Sequence, residues 1–236
     1  MLAAVANPES IHPSLWRASQ LARGDGRCVE TGYPALSGEL PGGGWPVGAL
    51  VDLLVQQQGI GELRLLEPVL RASGKGPVAL VQPPHLPNSL ALANWGIPLE
   101  RCLVMRPERT ADALWAAEQI LRAGTCSTLV FWQNHMRAES LRRLHLAAQS
   151  SETLFFMIRP LPAAQDASPS PLRLALRPVA DGLSIDFVKR RGPLRHEPLV
   201  LSVLPSPSLL DKNAPMDWRA PGTSTPVAPL EFATHE

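Results

Sequence analysis

The chain has 236 residues, 45% of them hydrophobic and 18% charged, enough for one α/β domain with its own core and some tail. Its 22 Lys+Arg nearly cancel 21 Asp+Glu, for a net charge of +1, so no global positive field drives non-specific nucleic-acid binding and any DNA contact must be local. Cys28, Cys102 and Cys126 lie far apart with no CxxC or Cys/His spacing, which argues against a zinc site and a disulfide framework. With neither a signal-like start nor an apolar run near the roughly 20 residues a membrane helix requires, the expectation is a soluble cytoplasmic protein.

Residues 14–23 carry Leu15, Ala18, Leu21 and Ala22 at helical spacing, with Ser14 placed to cap and Gly24 to stop a short helix. After the turn-rich Leu40–Gly48, the run ALVDLLV (49–55) is too short for a helix and reads as a buried parallel strand. ELRLLEPVLRASG (62–74) follows with an apolar helical face, and Pro68 is expected to bend it. Strands are then predicted over 77–84, 101–107, 127–133 and 153–160, separated by helices over 89–96, 111–124 and 139–150. This alternation implies a mainly parallel sheet flanked by helices. LPAAQDASPSP (161–171) reads as a mobile loop, and 172–179, 182–192 and 196–204 as an antiparallel finish turning at Asp181-Gly182 and Gly192-Pro193. The organisation expected is an N-terminal segment over 1–28, a core over 29–204 and a disordered Pro/Ser-rich tail over 205–236.

VETGYPALSGELPGGGWPVGALVDLLVQQQGIGEL (29–63) resembles the approach to the nucleotide loop in the RecA family, where a glycine-rich turn leads into a buried strand and a phosphate loop. The likeness continues through residues 111–134, 140–158 and 183–201 to cover roughly Val29 to Val203, and in detail it is nearest the ImuA group of the SulA/ImuA branch. That resemblance implies a RecA-like fold. It also implies a role in damage-induced, error-prone translesion DNA synthesis beside an ImuB-like polymerase-related protein and an error-prone DnaE-type polymerase, with RecA itself a further partner. A cell-division inhibitor of SulA type is the alternative within the same branch, and a nucleotide-responsive DNA-binding modulator of recombinase filaments is another.

A working phosphate loop has the form GxxxxGK[ST], in which backbone N–H groups cradle phosphate, lysine neutralises it and a hydroxyl helps hold magnesium. In the matching QQQGIGEL, Gln56 replaces the first glycine, Glu62 the lysine and Leu63 the hydroxyl residue, leaving Gly59 and Gly61. A carboxylate here turns attraction for polyphosphate into repulsion. Where the family has a catalytic carboxylate after the next strand, this chain has Pro84; the acid expected after LVFW is replaced by Trp132, Gln133 and Asn134; and the γ-phosphate-sensing amide by Arg159-Pro160. ATP hydrolysis, a cofactor and a catalytic set are therefore not expected.

The two loops that hold DNA in the resembling recombinases are here the short 133–139 and the base-free 161–171. The remaining basic cluster is Lys189, Arg190, Arg191 and Arg195, which either converges on phosphates or an acidic partner or forms a solvated turn. Arg137, Arg142 and Arg143 fit a solvated helix face, and His145 a half-buried structural position. In the tail, Leu209, Leu210, Met216 and Trp218 are too few to build a core but suited to docking into a partner's groove.

Overall fold

A computed structural model of the chain describes residues 26–72, 76–193 and 195–203. The chain divides into two units, Met1–Leu204 and Pro205–Glu236. The description concerns the first; the helix expected over 14–23 and the tail residues Leu209, Leu210, Met216 and Trp218 lie outside the described residues.

A small antiparallel pair, β1 (Cys28–Val29) and β2 (Trp45–Pro46), encloses helix α1 (Pro34–Glu39). The main sheet follows: β3 (Leu50–Val55), β4 (Val78–Val81), β5 (Cys102–Met105), β6 (Thr128–Trp132), β7 (Leu154–Pro160), β8 (Leu172–Val179), β9 (Gly182–Lys189) and β10 (Leu199–Leu201). Between the strands run α2 (Glu62–Ala72), α3 (Ser89–Asn94), α4 (Thr110–Ala123) and α5 (Ala138–Gln149). The eight strands lie in the order β10-β9-β8-β3-β7-β6-β4-β5. The six from β8 to β5 are parallel, and β9 and β10 add the antiparallel finish.

The central strands β3, β4, β6 and β7 are nearly continuous apolar runs because both of their faces are covered, whereas the edge strand β5 leaves Leu103 and Val104 exposed. Val51, Leu53 and Val55 of β3 and Leu154, Phe156 and Ile158 of β7 face Leu65, Leu66, Val69 and Leu70 of α2. On the opposite face Leu50, Phe155 and Met157 meet Ala113, Ala117 and Leu121 of α4 and Leu141 and Leu144 of α5. Small alanines on α4 let the helix approach the sheet, and Gly124, at φ 62°, ends it in the left-handed conformation that glycine adopts without strain. Trp45 is fully buried and meets the Phe156 ring edge-on at 5.2 Å.

Pro68 lies inside α2 without ending it. A proline cannot donate to the carbonyl four residues back, and here the Arg64 carbonyl accepts instead from the Tyr33 hydroxyl at 2.9 Å. The chain comes that close because Gly32, at φ +83°, packs so tightly that a Cβ there would lie 2.2 Å from Pro68 Cβ. The stretch 161–171 differs from the sequence expectation. Leu161–Gln165 is a 3-10 helix with Ala163 buried, and Ser170, also buried, shares its one hydroxyl proton between the carbonyls of Leu50 at 2.7 Å and Leu172 at 2.6 Å. Proline and alanine in this stretch form a packed crossover beneath β3 and β8 rather than a mobile loop.

Candidate functional site

The topology singles out one place for a ligand. The connection after β3 passes to the face carrying α2, whereas the connection after its neighbour β7 passes to the opposite face. A crevice opens at the carboxyl ends of two such strands, and open α/β sheets bind ligands there. The degenerate loop 56–61 sits at this point, against a cavity of about 250 Å³ lined by Gln56, Gln57, Gln58, Asn134, Arg159 and Pro160. The Gln58 amide donates to Asn134 Oδ1 at 3.4 Å, bridging the loop to the end of β6.

Inside the loop, the Gly59 N–H donates to Glu62 Oε1 at 3.0 Å and the Gly61 N–H to Glu62 Oε2 at 3.2 Å. Gly59 and Gly61 adopt φ +83° and +115°, which turns their amides inward. Glu62 is 3% exposed. Its carboxylate therefore occupies the anion position that backbone amides and a helix N-terminus create. Leu63 turns its side chain to the core beside α2. Gln56 continues the sheet hydrogen bonding, its N–H donating to the Leu176 carbonyl at 3.1 Å. Of the five loop residues singled out in the sequence, Gly59, Gly61 and Glu62 are brought together in a nest that an internal carboxylate fills, while Gln56 and Leu63 are engaged elsewhere.

The second feature of this end is a buried charge network that sequence reasoning missed. Asp52 of β3 is fully buried. Arg159 of β7 donates to it from Nε at 3.0 Å and Nη2 at 2.6 Å, and Arg173 of β8, opposite Asp52 in register, donates from Nε at 3.0 Å. The remaining Arg173 donors go to the carbonyls of Ala163 at 2.7 Å, Asp166 at 3.1 Å and Ala164 at 3.2 Å, which pins the 3-10 crossover to the sheet. Buried charge persists only where it is paired and fully hydrogen-bonded. Asp52 and Arg159, each the only charge in an otherwise apolar strand, and Arg173 between two leucines were the available signal. Arg159 locks β7 to β3.

The other positions expected to carry chemistry are also occupied by packing or amide contacts. Trp132 is buried at the end of β6, and its Nε1 has no hydrogen-bond partner among the described residues. The Gln133 amide donates to Thr110 Oγ1 at 3.4 Å. Among the described residues no cluster of three or more His, Cys, Asp or Glu is placed to hold a metal.

At the far end of the sheet lies the basic turn, and most of it is internally engaged. Arg190 donates to Glu39 Oε2 at 2.9 Å and to the Glu39 carbonyl at 2.5 Å, and its guanidinium stacks 4.9 Å over the Phe187 ring. Arg195 bonds the other Glu39 oxygen and donates to the Glu197 carbonyl at 2.8 Å. The Arg190 hydrogen bond, supported by Arg195, holds the Glu39 carboxyl below its ordinary pKa against a smaller opposing effect of burial. Lys189 donates to the Ser168 carbonyl at 3.1 Å, which leaves Arg191 exposed. Arg137, the residue before α5, and Arg142 on it are exposed, and Arg143 pairs with Glu118 at 2.9 Å.

No family model matches the chain. It is 29% identical over 98 residues to the cell division inhibitor SulA of Edwardsiella piscicida, a match spanning 41% of this chain and 58% of that protein. It is likewise 29% identical over 107 residues to the cell division inhibitor SulA of Photorhabdus laumondii, spanning 44% and 60%. The crystal structure of SulA from Pseudomonas aeruginosa aligns at 27% identity over 47% of this chain and 97% of that one, with a TM-score of 0.40. The chain thus spans about three fifths of the curated relatives' length, and over less than half of its own it is similar to SulA.

Proposed function

We propose that this protein is a non-catalytic, RecA-like binding module of the bacterial DNA-damage response that acts by occupying a partner protein rather than by turning over nucleotide. One observation carries the reading: both inward amides of the Gly59–Gly61 loop are held by the buried Glu62 carboxylate. A polyphosphate would have to displace that group and then sit beside its charge, with no lysine in the loop to offset the repulsion. The RecA-like part rests on the position of this loop, between a central parallel strand and the helix that follows it.

Two partners are in view. The names of the similar proteins favour arrest of cell division, which is what those relatives are called. The second reading is the adaptor of translesion synthesis, joined to an ImuB-like protein and an error-prone polymerase. It is favoured by the share of the chain outside the matches, which cover only 41% and 44% of it, together with the apolar tail residues Leu209, Leu210, Met216 and Trp218. Expressing the chain in damaged bacterial cells separates the two. Filamentous, undivided cells support the division reading; a rise in damage-induced mutation without filamentation, lost when the chain ends at Leu204, supports the adaptor. Magnesium-dependent ATP turnover by the purified protein overturns the non-catalytic premise of both.

A further inference from the structure

A second cavity, of about 310 Å³, opens at the amino-terminal end of the parallel strands, away from the Glu62 loop. Pro41, Pro46, Pro169, Pro171 and Leu172 wall it. Four prolines fix their own backbone φ, and a Cβ at Gly44 would meet the Val29 carbonyl oxygen at 2.2 Å, so the wall is close-packed from behind. The size lies at the lower end of small-ligand pockets, and the mix of apolar wall with a few convergent polar groups is characteristic of them.

Those polar groups are donors of one kind. Arg27 and Arg191 stand in the lining with Cys28, His145 and Gln149, and no carboxylate lines the cavity. Arg27 is exposed and pairs with Glu152 outside the lining. Arg191 is exposed and close enough to act electrostatically on Cys28, and it has no ion pair or hydrogen bond with another described residue. The Leu50 N–H donates to His145 Nδ1 at 3.3 Å. Burial, with Lys189 nearby, pushes the His145 pKa down; because Nδ1 accepts from Leu50, the neutral ring carries its proton on Nε2, and Gln149, 3.4 Å away, accepts it only through its amide oxygen. Two guanidiniums, an imidazole N–H and a side-chain amide thus meet beside an apolar wall, and guanidinium recognises carboxylate through paired, charge-assisted hydrogen bonds.

We propose that this cavity binds a carboxylate on an apolar stem, with Arg191 and Arg27 taking the charge and the proline-lined wall the stem. The site does not depend on the functional reading above. Its ligand chemistry has two sources, a free small organic acid or an acidic side chain of a partner's peptide.

Cys28 inside the cavity provides the readout, with half-buried Cys102 as an internal reference. The full chain is alkylated with iodoacetamide and the rate at each cysteine read by peptide mass mapping. The additions are benzoate, its neutral isostere benzamide, and the capped peptide acetyl-Leu-Pro-Glu-Leu-amide. Benzoate or the peptide is expected to slow Cys28 several-fold while leaving Cys102 unchanged, with benzamide inert. Arg191→Ala, at an exposed turn that leaves the core intact, should raise the half-protecting concentration roughly tenfold. Protection at lower concentration by the peptide assigns the site to a partner's acidic segment, and by benzoate to a free acid. Equal protection by benzamide, protection unchanged in Arg191→Ala, or no protection by either acid overturns the proposal. Ala49→Leu, placed in the lining, is a second check: filling the cavity should abolish acid-dependent protection, and protection that survives it counts against the site.

Discussion

At the scale of single residues, charge placement governs this protein. Asp52 with Arg159 and Arg173 is fully interior, so removing the acid strands two guanidiniums away from water. Asp52→Ala is expected to cost about 3–5 kcal/mol in urea unfolding, whereas an exposed pair contributes less than about 1 kcal/mol. Glu39 offers a pH test. Its folded pKa is depressed, first by the Arg190 hydrogen bond, so its stabilisation is fully present above the unfolded carboxyl pKa and lost as pH falls through the folded one. Glu39→Gln should lower stability by about 1 kcal/mol at pH 7, given its partial exposure. The gap to wild type should close as pH drops below the usual glutamate range, and a gap constant down to strongly acid pH would refute the assignment.

At the scale of elements, the Pro68 helix shows how one apparent defect is absorbed by another segment. The Arg64 carbonyl freed by the proline is capped by Tyr33, whose hydroxyl pKa is pushed up to about 12, mainly by burial and further by Glu67. Tyr33→Phe should destabilise by about 1 kcal/mol. Gly32→Ala should cost more, roughly 2 kcal/mol or above, since it combines a left-handed backbone with a clash against Pro68. Thermal unfolding ranks the two, and the reverse order would show that the hydroxyl rather than the close approach positions α2. The elements of the main sheet were legible because the apolar runs were short and bounded by Gly and Pro, whereas α1 and the β1–β2 pair were not foreseen. The crossover 161–171 was not legible, because its order comes from Arg173 and Ser170 gripping backbone carbonyls, contacts that composition does not encode.

For the whole molecule, a net charge of +1 gives no global positive field, and among the described residues the basic turn has Arg190 and Arg195 clamped to Glu39. Duplex DNA at physiological salt is expected to bind more weakly than roughly 100 μM, the weak limit of non-specific binders. Glu39→Gln, by releasing Arg190 and Arg195, should tighten that binding and steepen its salt dependence. Fluorescence anisotropy checks both, and a micromolar wild-type affinity at 0.15 M salt would show a nucleic-acid surface independent of this turn. The loop residues were found from the sequence because a phosphate-loop pattern is local, eight consecutive positions. The basic turn was located but its state was not, since Glu39 lies some 150 residues earlier.

The amino-acid sequence alone determined the alternation of strand and helix, the double-sided burial of the central strands and the presence of a carboxylate, Glu62, in the glycine-containing turn after β3, because each depends on residue type within one short segment. Only the tertiary structure decided that Glu62 folds back onto Gly59 and Gly61, that Asp52 is paired from two neighbouring strands, and that Arg27, Arg191 and His145 share one cavity. Those outcomes depend on which distant segments the sheet order brings within hydrogen-bond reach, and hydrogen bonds act over about 3 Å whatever the separation along the chain.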